Sequence, residues 1–211
     1  MWVSKLNGGK AMATTKEKKP TSEAAAKTAE QKAEGAAKAL DAKLSGPLAP
    51  LEKSLDGVLG EKAPYKLPKN ARETLVKIAP WLSLAGGVFG IISAIGLWRA
   101  AHYVNQWVDV ANRLSANFGV SAQTPRLGLT FWLSLVMLVV FSVLAFLAFP
   151  GLKAKKKTGW NLMFFSSLAN IVYAVISLFY DGGGVGSFLG AAIGSVIGLY
   201  LLFQVRSHYK A

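Results

Sequence analysis

Apolar residues are unevenly spread along this chain. From residue 78 onward they fall into four long runs, 78–98, 127–149, 160–180 and 185–203. None carries Asp, Glu, Lys, Arg or His between its ends. About twenty mostly apolar residues cross a bilayer as a helix. The shortest run, of nineteen residues, reaches about 28 Å at 1.5 Å per residue. Four such runs leave little sequence to build a water-facing exterior, so fully buried soluble helices are a poor alternative. The expected fold is all-α: a polytopic membrane protein with a four-transmembrane-helix bundle over residues 70–211. An amphipathic outer helix and a largely disordered basic N-terminal tail over 1–69 complete it.

The tail expectation rests on pattern and composition. Residues 13–45 are dominated by Ala, Lys, Glu and Thr. Segments of this kind bury too little apolar surface to offset the entropy of ordering the chain, although Ala, Lys and Glu favour transient helix. Leu40, Leu44, Leu48, Leu51, Leu55 and Leu59 form a thin apolar line. Gly46, Pro47 and Pro50 interrupt it, leaving one short amphipathic helix near 50–59. This helix rests on a membrane surface or a partner, or else belongs to a solvated linker. Asn70 followed by Glu73 reads as a helix start with a capping-box variant, and Pro80 as a kink before the first span.

Between the first two spans, Val104, Trp107, Val108, Ala111 and Leu114 recur at helical spacing. His102, Asn105, Gln106, Asp109 and Arg113 lie largely on the other face. The segment is either an extension of span one or a helix lying flat on the outer surface.

Charge then orients the bundle. The chain has a formal net charge of +13. Fifteen Lys/Arg and nine Asp/Glu precede Pro80; nine Lys/Arg and two acids, Asp109 and Asp181, follow. Lys62, Lys66, Lys69, Arg72 and Lys77 precede span one. Lys153, Lys155, Lys156 and Lys157 join spans two and three, and Arg206 and Lys210 follow span four. In a four-span chain these clusters share one side, and the positive-inside rule makes it cytoplasmic, with both termini inside. Arg99, Arg113 and Arg126 are spread over the longer outer loop. Trp81, Trp98, Trp132, Trp160 and Tyr180 sit at span ends, where aromatic belts belong.

Three sets of residues are candidates for function. Gly186, Gly190, Gly194 and Gly198 recur every fourth residue in span four, beside Ser187, Ala191 and Ser195, as a glycine zipper. Span one carries a shorter version, Gly86, Gly90 and Ala94, with Ser83 and Gly87 beside it. Small residues at this spacing let another backbone approach closely. Either spans one and four pack on each other or the groove joins copies of the protein; accommodation of lipid is a third use. Ser166, Asn170, Tyr173 and Ser177 form a polar face on span three, expected to look into the bundle as interhelical glue or to line a polar cleft. Lys153, Lys155, Lys156 and Lys157 suit anionic lipid headgroups.

Enzyme chemistry finds little support. The chain has no cysteine, hence no disulfide, thiolate ligand or Cys nucleophile. His102 and His208 stand alone, without a second ligand at metal-like spacing. Gly182-Gly183-Gly184-Val185-Gly186 has no nearby Lys-Ser/Thr and reads as a tight turn rather than a phosphate loop. No cofactor is expected. Lack of charge inside the spans weighs against a proton-coupled pump or voltage sensor. Trp81-Leu82-Ser83-Leu84 recurs as Trp132-Leu133-Ser134-Leu135, a faint internal repeat.

The stretch from Lys69-Asn70-Ala71-Arg72-Glu73-Thr74-Leu75 onward, about two-thirds of the chain, resembles uncharacterised small four-span membrane proteins of Saccharibacteria-like candidate bacteria. The likeness is carried by Gly96-Leu97-Trp98-Arg99-Ala100-Ala101-His102, Phe149-Pro150-Gly151-Leu152-Lys153-Ala154 and Gly159-Trp160-Asn161-Leu162. It implies a bacterial inner-membrane protein and no particular activity.

Three functions are in competition. The first is a structural or interaction protein (scaffold, envelope organiser or accessory subunit), as a homo-oligomer or beside another membrane subunit. The second is a small transporter or channel formed by oligomerisation. The third is a tether whose basic tail binds anionic lipid or nucleic acid. Nucleic acid is the weaker ligand, because the tail's lysines are interleaved with glutamates and it has few aromatics for stacking, Trp2 and Tyr65.

Met12 reads as the natural start. If Gly8 is encoded GGA, the Gly8-Gly9 codons contain GGAGG, a ribosome-binding sequence suitably spaced before the Met12 codon, and residues 1–11 are a misassigned extension. The intact mass of native protein should then correspond to a chain beginning at or after Met12; a mature chain retaining Trp2 overturns the assignment.

Overall fold

A computed structural model describes residues 22–61, 63, 65–118, 127–179 and 185–210. Expectations about residues 1–11, Arg126, Tyr180 and the turn at 181–184 lie outside them. Among the described residues every extended element is helical: α1 (Ser22–Leu55), α2 (Lys69–Asn117), α3 (Leu129–Lys153), α4 (Lys157–Phe179) and α5 (Val185–Val205). A π-helical turn, Asp56–Glu61, prolongs α1, and a 3-10 turn, Arg206–His208, follows α5. Three helices, α2, α3 and α4, are long and apolar enough to cross a membrane. The fourth expected span coincides with α5, whose 21 residues rise about 31 Å.

The N-terminal region differs from the disordered tail that its composition implies. Residues 22–55 form one helix of 34 residues running through Pro47 and Pro50. Local pairs support it: Glu23 meets Lys27 at 2.9 Å and Glu34 meets Lys38 at 3.3 Å, at the (i, i+4) spacing that favours helix. Tertiary packing contributes more. Ala37 is buried in the main core, and Leu40, Leu44, Leu48, Leu55 and Leu59 pack against it. The leucine line that reads as a marginal linker is the docking face of a helix. Only Leu51 in that line is largely exposed.

The start of α2 also differs from expectation. Pro68, not Asn70, occupies the N-cap position, and its carbonyl accepts the Arg72 N–H at 3.1 Å. Asn70 lies inside the first turn, where its carbonyl accepts the Thr74 hydroxyl. From there α2 continues for 49 residues, through Pro80, or about 73 Å. The outer segment is therefore an extension of span one. Asn105 Oδ1 accepts the Leu127 N–H at 3.0 Å, bringing the start of α3 back beside α2. The last three turns of α2 run past that point.

Helices α2 and α3, α3 and α4, and α4 and α5 pack as sequential neighbours. The α3–α4 connection is tight. Lys155 adopts a left-handed conformation, φ 53°, and Gly151 and Gly159 bring the two backbones together. A Cβ on Gly151 would meet the Gly159 nitrogen at 2.6 Å, and one on Gly159 would overlap the Gly151–Leu152 backbone. Beside the crossing, Trp160 is fully buried. It stacks on Phe164 at 5.4 Å, meets Phe203 edge-on, and donates its Nε1–H to the Leu202 carbonyl at 2.8 Å. Trp160 is thus part of the core rather than of an interfacial belt, whereas Trp81 and Trp98 are exposed.

Because rigid backbone surrounds the missing Cβ, Gly159→Ala must open the hairpin. We expect destabilisation of about 1–3 kcal/mol or more, read as a lowered melting temperature in detergent. Gly96→Ala, with nothing within 4 Å of its Cβ, should leave stability unchanged or slightly raised.

Candidate functional sites: two glycine faces and a charged end

The two glycine faces have different neighbours. On α2, a Cβ at Gly90 would strike the Ser142 side chain of α3, and one at Gly87 would lie 3.1 Å from the Phe146 ring. Ala94 is buried. This stripe is the seat of α3, so spans one and four do not close the bundle through paired glycines. On α5, Gly190, Gly194 and Gly198 are exposed, with nothing within 4 Å of a Cβ at any of them. Leu189, Ile193, Val196 and Ile197 around them are exposed too. Gly186 falls among residues whose surroundings are not described. The reason is rotational: α5 packs through Ser195, Leu199 and Phe203, all buried, about 100° around the helix from the glycines.

The polar face of α4 is divided between two neighbours. Asn170 Nδ2 donates to Ser195 Oγ of α5 at 3.0 Å. The Tyr173 hydroxyl pairs with Ser134 of α3. Ser177 bonds its own helix, at the Ala174 carbonyl, and Ser166 is half-buried. These bonds tie α4 to both neighbours, each contributing roughly 0.6 kcal/mol, at most about 2, if the surroundings are lipid.

The lysines of the α3–α4 turn meet acids of α1. Lys153 lies 3.7 Å from Glu30, Lys156 pairs with Glu34, and Lys157 lies 3.4 Å from Glu52. Lys155 is exposed, and the 156 and 210 backbones form a short parallel bridge. Asn161 Nδ2 donates to Asp41 at 2.6 Å.

Glu52, nearly buried, is the centre of this arrangement. Its Oε1 accepts Arg206 Nε at 3.2 Å and Nη2 at 2.6 Å, and Arg206 Nη1 pairs with Asp56. The guanidinium lies over the Trp160 ring at 5.6 Å. Gln204 adds a neutral stitch: its Nε2 donates to the Leu59 carbonyl at 3.0 Å, and its Oε1 accepts the Leu67 N–H at 3.3 Å. Glu52 and Asp56 are one helical turn apart, but their partner lies about 150 residues away. Nothing local marks the pairing.

Among the described residues, the three positive clusters consequently lie at one end of the bundle, where α2 and α4 begin and α3 and α5 end; Lys62 lies outside them. No protein-family model, curated protein or solved structure matches this chain.

Hydrogen bonds from Lys156 first, and then Lys38, with their charges, hold the Glu34 carboxyl below its ordinary 4.5. The resulting contribution to α1 docking is complete above pH 4.5 and lost as pH falls through the lower, folded-state value. With spin labels on Ala42→Cys and Ala154→Cys, the separation should be short and single-valued at neutral pH and broaden in acid, as pH falls below the ordinary carboxylate range. Glu52→Gln should broaden it at neutral pH, at a cost on the order of 2 kcal/mol because its cationic partners are part-exposed.

Proposed function

We propose that this chain is a four-span bacterial inner-membrane protein of structural or interaction type, with both termini in the cytoplasm. It associates through the glycine face of α5, most simply with a second copy of itself. The observation that carries the reading is the contrast between the two glycine stripes. That of α2 is filled by α3 at Gly87 and Gly90, whereas that of α5 is open along Gly190, Gly194 and Gly198. Without a hydrophobic driving force between helices in lipid, close backbone approach across small residues is a main source of association.

Membrane placement draws support from α2, α3 and α4, which are long and apolar enough to cross. Large apolar side chains are exposed on all the bundle helices, among them Phe89, Ile92, Val136, Val172 and Ile193. Orientation draws support from the gathering of the positive clusters at one end. The apolar composition of α5 and its length of 21 residues fit a fourth crossing.

Cross-linking of the full chain in native membranes tests the association. A dimer or higher species is expected, with Gly194→Leu reducing it at least tenfold. Gly96→Leu, an equal change at an open glycine of α2, should leave it intact. A monomeric wild type, or association indifferent to Gly194→Leu, would overturn the reading.

A further inference from the structure

At the charged end, a cavity of about 490 Å³ opens between the π-helical turn, the first turn of α2, the start of α4 and the C-terminal segment. Among the described residues its lining includes Lys66, Arg72, Lys157 and Arg206 against one acid, Asp56. Arg206 is already matched by Glu52 and Asp56, and Lys157 leans on Glu52. Counting Glu52 with the lining leaves two positive charges in excess. Arg72 is the exceptional member, because its Nε is buried without a hydrogen-bond partner.

The Tyr209 hydroxyl is the second orphan in this wall. Tyr209 is 6% exposed, and its hydroxyl is buried without a partner. Burial raises its pKa above the usual 10, so at neutral pH it remains a donor. A buried donor left unmatched costs free energy. Both residues line one cationic cavity, and an acceptor carrying negative charge would match them.

A second, apolar cavity of about 280 Å³ adjoins the first, and Tyr209 lines both. Leu82, Gly86, Ala145, Met163 and Leu202 are among its walls. It follows α2 from Ala79 to Gly86, about 10 Å along the helix, away from the charged end. Gly86 is open on this side, with nothing within 4 Å of its Cβ.

The geometry points to a binding site for one membrane phospholipid, its phosphate at Arg72, Lys66 and the Tyr209 hydroxyl and one acyl chain entering the crevice beside Gly86. Arg72 lies six residues before the first apolar run, and Lys157 three before the third. In a membrane-embedded bundle both belong at headgroup depth. A free phosphate would satisfy the donors but leave the adjoining crevice unfilled. The site does not depend on the α5 face; it rests only on the membrane placement proposed above.

The test is native mass spectrometry of the full chain, extracted from membranes in mild detergent and then offered phosphatidylglycerol, phosphatidylcholine or glycerol 3-phosphate. One phosphatidylglycerol per chain should be retained, about tenfold better than phosphatidylcholine. Arg72→Gln should lower retention about tenfold and Tyr209→Phe about threefold. Melting curves identify any variant that fails to fold, and Tyr209→Phe preserves the ring that packs. Gly86→Leu should exclude the long-chain lipid while leaving Arg72 in place. Equal retention of both lipids with no effect of Arg72→Gln and Tyr209→Phe overturns the site. Glycerol 3-phosphate binding as tightly as phosphatidylglycerol overturns the lipid as its ligand. Recovery of the chain outside the membrane fraction overturns the site together with the membrane placement, whereas failure of lipid retention in membrane-extracted protein leaves that placement standing.

Discussion

A nearly buried carboxylate governs the charged end of this molecule. Removing Glu52 from water is unfavourable unless cations replace the lost hydration. Arg206 and Lys157 do so from two different helical segments, and Asp56 takes the remaining guanidinium edge. This requirement fixes where the π-helical turn can lie relative to the end of α5 and the start of α4. The leucine line of α1 then has a surface to cover, and Gln204 can reach both the Leu59 carbonyl and the Leu67 N–H. Without the charge network, α1 would be a long helix with two internal prolines and only its leucine line to hold it to the core.

A complementary constraint acts between the helices of the bundle. The α3–α4 turn works because Gly151 and Gly159 leave room for backbone against backbone, and that crossing sets Trp160 against Phe164 and Phe203. On α2, Gly87 and Gly90 receive the side chains of α3. The same residue type therefore serves as a tight crossing on α3 and α4, a seat on α2, and an unfilled groove on α5. Neighbouring geometry, rather than glycine content, distinguishes the three.

This difference explains which parts of the fold were legible in the sequence. The long apolar runs anticipated α2, α3 and α4 because membrane-length hydrophobicity is a local property. The polar face of α4 was legible as well: Asn170 and Tyr173 reach interhelical partners. The helix over 22–55 was not, because composition registers its polarity whereas it is held by its leucine line packed on the core and by lysines and an arginine more than 100 residues later. Trp160 was misread as an interface anchor because a tryptophan at a span end looks the same whether it meets headgroups or Phe203. The leucine line from Leu40 to Leu59 was a recoverable signal; its spacing matched a helix face even across Pro47 and Pro50.

The arrangement of charge follows from combining these constraints. In an isolated bundle of α2 to α5, the lysines of the α3–α4 turn would face solvent. Here α1 brings Glu30, Glu34 and Glu52 over three of them, replacing mobile counterions with a fixed protein strand of opposite sign. The cover ends at the π-helical turn. Beyond it, Lys66 and Arg72 line the cavity with Asp56 as the acidic neighbour among the described residues of the wall, and Asp56 is already engaged by Arg206. Excess positive charge is thus concentrated in the one recess that also exposes a crevice between helices. Neutralisation by α1 along the turn and charge left uncovered at its end are two consequences of where that helix stops.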